Sequence, residues 1–146
     1  MVSAPFVKGG NAPVEIRGIA KFAKLSEPDM WNKYSCRISP DQPSMAKVHK
    51  LISEGIKNKI TKDETGEYSI VFSRPVKIKT KDKGEVLLDP VILVYEDGER
   101  LSKRFVPDGS DITMKLEIYG GKSPTGFGVY KAARLFKITV HGEKPT

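Results

Sequence analysis

The chain has 146 residues, 38% of them hydrophobic and 29% charged, a composition that suits one globular domain able to bury a core without staples. Its 25 Lys and Arg outnumber 18 Asp and Glu, and the formal net charge of +7 makes polyanions, nucleic acid foremost, the natural partners of its surface. No apolar run approaches the roughly 18 residues of a membrane span, and one cysteine beside two histidines allows neither an internal disulfide nor a tetrahedral zinc site, so no membrane partner, metal or other cofactor is expected.

Residues 1–13, "MVSAPFVKGGNAP", lack the charged start and apolar centre of a secretory signal and read as a flexible lead-in to a chain that is not exported. From Val14, "VEIRGIAKFAKL" alternates. Val14, Ile16, Ala20 and Phe22 fall on the even face and Arg17, Ile19 and Lys21 on the odd one, which predicts a half-buried strand with its cations outward. After the polar break "SEPDMWN", the segment "KYSCRIS" puts Tyr34, Cys36 and Ile38 on one face and Lys33, Ser35 and Arg37 on the other. The period then changes in "PDQPSMAKVHKLISEGIKNKI". Met45, Val48, Leu51, Ile52 and Ile56 recur at three and four, with Asp41 as N-cap, Pro43 in the first turn and Gly55 as an early stop. His49 lies at the edge of that helix's apolar stripe.

A turn signal, "KDETGE", leads to "YSIVFS", with Tyr68, Ile70 and Phe72 inward, and Pro75 forces an edge, bulge or break. In "VKIKTK" the residues Val76 and Ile78 face in, while Lys77, Lys79 and Lys81 face out. "VLLDPVILVY" is apolar enough for a strand buried on both faces, the Asp97-Gly98 dipeptide favours a two-residue hairpin turn, and "RLSKRFV" reads as the return strand. "ITMKLEIY" and "VYKAARLFKITV" close the domain at Val140, and 141–146 form a short tail. One helix among about seven strands speaks against a parallel βαβ plan. The expected fold is all-β with one α-helix, an OB-fold-like antiparallel five-stranded barrel with extra hairpin strands, capped by that helix, with an open sandwich as the alternative.

The chemistry of the chain centres on "YGGKSPTGFGVYKAAR", residues 119–134. Its "GGKS" suggests a phosphate loop, but that pattern requires glycine where Leu116 stands, and Pro124 blocks the helix such a loop must launch. No G-x-S-x-G elbow occurs, and the acidic clusters "KDET", "EDGE" and "DGSD" all sit at turns, where Asp caps backbone groups. No enzymatic activity is expected. What remains is cations and rings on outward faces and loops, the equipment by which single-stranded nucleic acid is held: phosphates on cations, bases stacked on aromatics. The candidate binding residues are Arg17, Lys21, Lys33, Arg37, Lys77 and Lys79 on the strands, with Trp31 and Tyr34 around the first loop. Around the glycine-rich hairpin they are Tyr119, Lys122, Phe127, Tyr130 and Lys131. The groove between residues 26–34 and 119–130 is the expected site, although Tyr34, on the even face, also suits the core.

The order of "KYSCRISP" followed at once by a helix, then "PVKIKTKDKGEVLLDPVILVYEDGERL" and "GSDITMKLEIYGGKSPTGFGVYKAARLFKITV", resembles the single-stranded DNA-binding proteins that tailed phages encode for replication and recombination. The resemblance runs from about Val14 to Val140 and rests on pattern rather than identity. It implies an OB fold that coats and protects single-stranded DNA without strong sequence preference, in the cytoplasm of an infected bacterium, with phage or host replication proteins as further partners and a homodimer as a compatible state. It departs from the family at the end, where members carry an acidic tail and this chain reads "HGEKPT". Duplex DNA or RNA binding, and a structural role for the basic face, stand as alternatives, because phosphate contacts are common to all nucleic acids.

Overall fold

The computed structural model describes residues 13–27, 32–80, 84–101, 104–122 and 129–142, with the backbone alone at 79–80, 119–122 and 129–131. Among these residues nine strands and one helix follow in order: β1 (Val14–Lys24), β2 (Lys33–Pro40), α1 (Gln42–Ser53), β3 (Thr61–Lys62), β4 (Tyr68–Pro75), β5 (Lys77–Thr80), β6 (Gly84–Leu87), β7 (Ile92–Tyr95), β8 (Asp111–Lys122) and β9 (Val129–Val140). Seven of them form one sheet in the order β3-β4-β2-β1-β8-β9-β7, antiparallel throughout except where β7 runs parallel to β9. The sheet curls until β4 lies against β9, so β1, β2, β4, β8 and β9 enclose the core as an OB-like barrel. The hairpin β5–β6 stands apart.

Alternation explains the barrel. Ile16 and Ala20 of β1, Cys36 and Ile38 of β2, Ile70 and Phe72 of β4, Ile112, Met114 and Leu116 of β8, and Leu135 and Ile138 of β9 are all fully buried. Burial pushes the Cys36 thiol up to about 12, so it is an inert part of this core. Helix α1 begins where Asp41 accepts a hydrogen bond from the Ser44 N–H at 2.9 Å, with Pro43 in the first turn, and stops at Glu54 before Gly55, whose φ is 116°. Val48 and Leu51 seal the core. The helix start is tied to β1 because Ser44 Oγ accepts from the Arg17 N–H at 2.8 Å. The same junction requires Gly18, where an added Cβ would lie 2.1 Å from the Ser39 carbonyl oxygen.

Five details differ from the sequence reading. Phe22 does not face inward: the pairing passes from Lys21↔Arg37 to Lys24↔Ser35, so Phe22 and Ala23 oppose Cys36 alone in a β-bulge that breaks the parity. Tyr68 opens β4 beyond the rim of the core and is half exposed. "VLLDPVILVY" is two strands, because Asp89-Pro90 interrupts the ladder, and Leu87 is 76% exposed. The turn after β7 closes from Tyr95 to Glu99 around Gly98, a three-residue loop, and the predicted return strand reduces among the described residues to the bridge Val94↔Arg100. Finally, the ladder β8–β9 continues through Gly120↔Lys131, Gly121↔Tyr130 and Lys122↔Val129. Backbone pairing needs no side chain, so the glycines do not end it, and residues 119–122 and 129–130 of the expected loop are strand, while 123–128 lie outside the described residues.

Candidate nucleic-acid interface

Predicted cations stand on β1, β2 and β5, and the structure sorts them by partner. Arg17, on β1, grips Asp111 at the start of β8 with both prongs, Nε to Oδ1 at 3.2 Å and Nη2 to Oδ2 at 2.9 Å. This bond holds the Asp111 carboxyl below the usual range. Lys21 places its Nζ 2.7 Å from Glu67 Oε2 and 3.7 Å from Asp63 Oδ2. The Glu67 carboxyl is lowered chiefly by its bond to Lys21, and that of Asp63 chiefly by the Thr65 hydroxyl. Lys77 on β5 approaches Glu85 of β6 at 3.4 Å. These three cations each face a carboxylate.

Arg37 is held differently. Its Nη1 donates to Thr61 Oγ1 at 2.8 Å and to Ser69 Oγ at 2.9 Å, both neutral hydroxyls, one from β3 and one from β4. Its Nε and Nη2 have no partner among the described residues, so a guanidinium edge of the shape that binds phosphate bidentately is fixed in place with its charge unspent. Lys33 is exposed at the start of β2. Tyr34 is half-buried against the core, with the Arg104 guanidinium 6.0 Å from its ring centroid. Arg104 itself donates to the Leu25 and Val91 carbonyls at 2.9 and 2.7 Å. Tyr119, Lys122, Tyr130 and Lys131 come together on the β8–β9 ribbon and Lys79 lies on β5, placed here by backbone alone, while Trp31 and Phe127 lie outside the described residues.

A cleft of about 470 Å³ opens around Arg37, lined by Lys21, Phe22, Thr61, Lys62, Asp63 and Ser69 besides. Phe22 and Lys62 were not among the expected residues. Phe22 is 66% exposed and sits at φ 49°, a left-handed conformation that costs a non-glycine residue about 1 kcal/mol or more. Its N–H is fixed by Asp108 Oδ1 at 2.8 Å, and the same 107–110 turn bonds Ala20 on both sides, Gly109 N–H to the Ala20 carbonyl and Ala20 N–H to the Ser110 carbonyl, each at 2.8 Å. Lys62 holds its Nζ 5.5 Å from the centroid of the Tyr68 ring. The signal that a bulge falls at residue 22 was absent from the strand itself. It lay in the "PDGSD" turn, far along the chain, that clamps it.

A second cleft, of about 360 Å³, lies at the seam between β4 and β9, where Arg74, Asp89, Arg100, Arg104 and Phe136 meet. Arg74 is buried, donates Nε to the Asp89 carbonyl at 2.6 Å and Nη1 to Glu117 Oε1 at 3.0 Å, and stacks 5.8 Å from the centroid of Phe136. Phe136 reaches the seam because the β8–β9 register slips between Lys115↔Lys137 and Leu116↔Leu135, leaving it as the bulged residue. Among the described residues no group of three His, Cys, Asp or Glu could hold a metal ion, and no helix is long and apolar enough to cross a membrane.

A curled, mainly β sheet capped by one helix is an OB-like plan, and solved structures share this fold across most of their length. The chain superposes on gp2.5, a single-stranded DNA-binding protein encoded by bacteriophage T7, with a TM-score of 0.64 at 12% identity, covering 92% of this chain and 88% of that one. It superposes on the single-stranded DNA-binding protein of bacteriophage Enc34 in complex with single-stranded DNA with a TM-score of 0.58 at 10% identity, covering 91% and 88%. A C-terminally truncated form of the Enc34 protein gives 0.58 at 11% identity, covering 91% and 87%. No protein-family model matches the sequence, and no curated protein matches it. At these identities the likeness is one of fold.

Proposed function

We propose that the chain binds single-stranded DNA largely without sequence specificity, through the outer face of β1, β2 and β4, with residues 14–140 as the binding domain. The observation that carries this reading is Arg37. A guanidinium positioned by two hydroxyls, with an unclaimed edge in a cleft lined by three cations and one carboxylate, is built for a phosphate. The shared fold supports the choice of polymer, since phage proteins of this shape include single-stranded DNA-binding proteins, one solved with its DNA. The sequence adds Trp31 and Phe127 as candidate rings for the expected groove between residues 26–34 and 119–130, with Lys33, Lys122 and Lys131 as candidate phosphate contacts. No chemical step is assigned to any residue. Coating and protecting single strands during phage replication and recombination, in the cytoplasm of the infected host, is the role this binding serves.

Titration of a fluorescent oligo(dT) by anisotropy tests the reading. Affinity should be present at low salt, with log K falling linearly against log salt at a slope of about −0.7 per phosphate neutralised. A flat salt dependence, or no binding at low salt, refutes it.

A further inference from the structure

Resting on that reading, we infer that Phe22 is a base-stacking platform, and that Phe22 with Arg37 forms a subsite for one unpaired nucleotide, the ring taking the base and the guanidinium the phosphate. Three independent observations converge on it. Phe22 is among the few large apolar side chains left exposed, and it lines the cationic cleft rather than the core. Its backbone sits in the region that glycine occupies in bulges of this kind, so an aromatic residue is held where a small one fits more easily. The conformation is then over-determined from outside: Asp108 fixes the Phe22 N–H, and the 107–110 turn brackets Ala20 two residues before it. Strain retained at an exposed ring, with a dedicated clamp, marks a position kept for what the ring meets.

The chemistry selects one ligand class. Lys21↔Arg37 is the last regular pair before the bulge, so the ring emerges beside the guanidinium on the neighbouring strand. A flat apolar face next to a bidentate phosphate donor accommodates a base and its own backbone phosphate. A paired base in a duplex has both faces occupied by its neighbours and offers none to the ring. The subsite therefore discriminates single from double strands, which cations alone do not.

Three variants test it: Phe22→Gly, which relaxes the left-handed backbone, Phe22→Leu, which keeps bulk without a π-face, and Phe22→Trp, which keeps the face. The expected result is a loss of about tenfold in oligo(dT) affinity for the Gly and Leu variants, with the Trp variant at or above the parent. Affinity for a duplex of equal length should be the same in all, and the melting temperature of Phe22→Gly should be no lower than the parent's. If the parent binds oligo(dT) and the Gly and Leu variants bind it equally well, the stacking assignment is overturned while the binding reading stands. A parent that does not bind single strands overturns both. A Phe22→Gly variant that melts lower yet binds normally makes Phe22 a packing residue and overturns the assignment as well.

Discussion

Two clefts that hold arginines, one at the barrel seam and one on the outer face, differ in what has already claimed the charge. At the seam, Arg74 gives one nitrogen to Glu117, another to the Asp89 carbonyl and its face to Phe136, and Arg104 bridges two carbonyls. Arg74 links β4 to Phe136 of β9, where no ladder joins the two strands among the described residues. On the outer face, Arg37 bonds two hydroxyls through one nitrogen and forms no ion pair with a carboxylate among the described residues. Volume does not separate the clefts. The partners do: a cation satisfied inside the fold contributes stability, and one positioned but unpaired is available to a ligand.

The largest effect that separates the two regions is expected at the seam. Arg74→Ala strands Glu117 without its partner in a mostly buried setting, and denaturant unfolding should show a loss of about 3 kcal/mol. Oligo(dT) affinity of the folded variant should remain at the parent's value; a variant of normal stability but weak affinity would break the division of labour. Next comes Arg37→Ala, for which the anisotropy titration should give a loss of about tenfold with little change in melting temperature, matching one charge-assisted contact. Arg37→Lys should recover only part of it, because an ammonium cannot present two parallel donors.

A smaller effect appears in acid. Asp63, Glu67 and Asp111 all have carboxyl pKa values held below their ordinary ones, so the stability they contribute is complete above about pH 4 to 5 and is lost as pH falls through the depressed values. Melting curves from pH 7 to pH 3 should therefore decline at the acid end, and Asp111→Asn should flatten part of that decline. The smallest change is expected for Arg17→Ala. Its charge is already matched by Asp111, so oligo(dT) affinity should stay within about twofold of the parent. A loss equal to that of Arg37→Ala would show that ion pairing does not decide which cations bind.

How much of this was legible in the sequence follows from how local each signal is. Helix α1 was readable from Asp41, Pro43 and Gly55 because caps act within one turn, and the strands β1, β2, β8 and β9 from alternation that the barrel core enforces. Asp89-Pro90 was a readable break, masked by the apolar residues on either side of it. Phe22 was not readable, since parity assigned it to the core and only the distant Asp108 turn imposes the bulge. Arg17 and Arg37 looked alike on outward positions of neighbouring strands. Their difference is set by Asp111, ninety-four positions along the chain, and by two hydroxyls from β3 and β4, contacts that exist only once the sheet has formed.

A face that binds single strands by phosphate and base together should reveal itself in one competition. A labelled oligo(dT) complex is challenged with unlabelled single-stranded DNA, duplex DNA and RNA of equal length at two salt concentrations. Single-stranded DNA should displace the label best at both, with its advantage over duplex kept at the higher salt, where phosphate contacts weaken but stacking does not. Duplex DNA competing as well as single-stranded DNA at both concentrations would contradict the account.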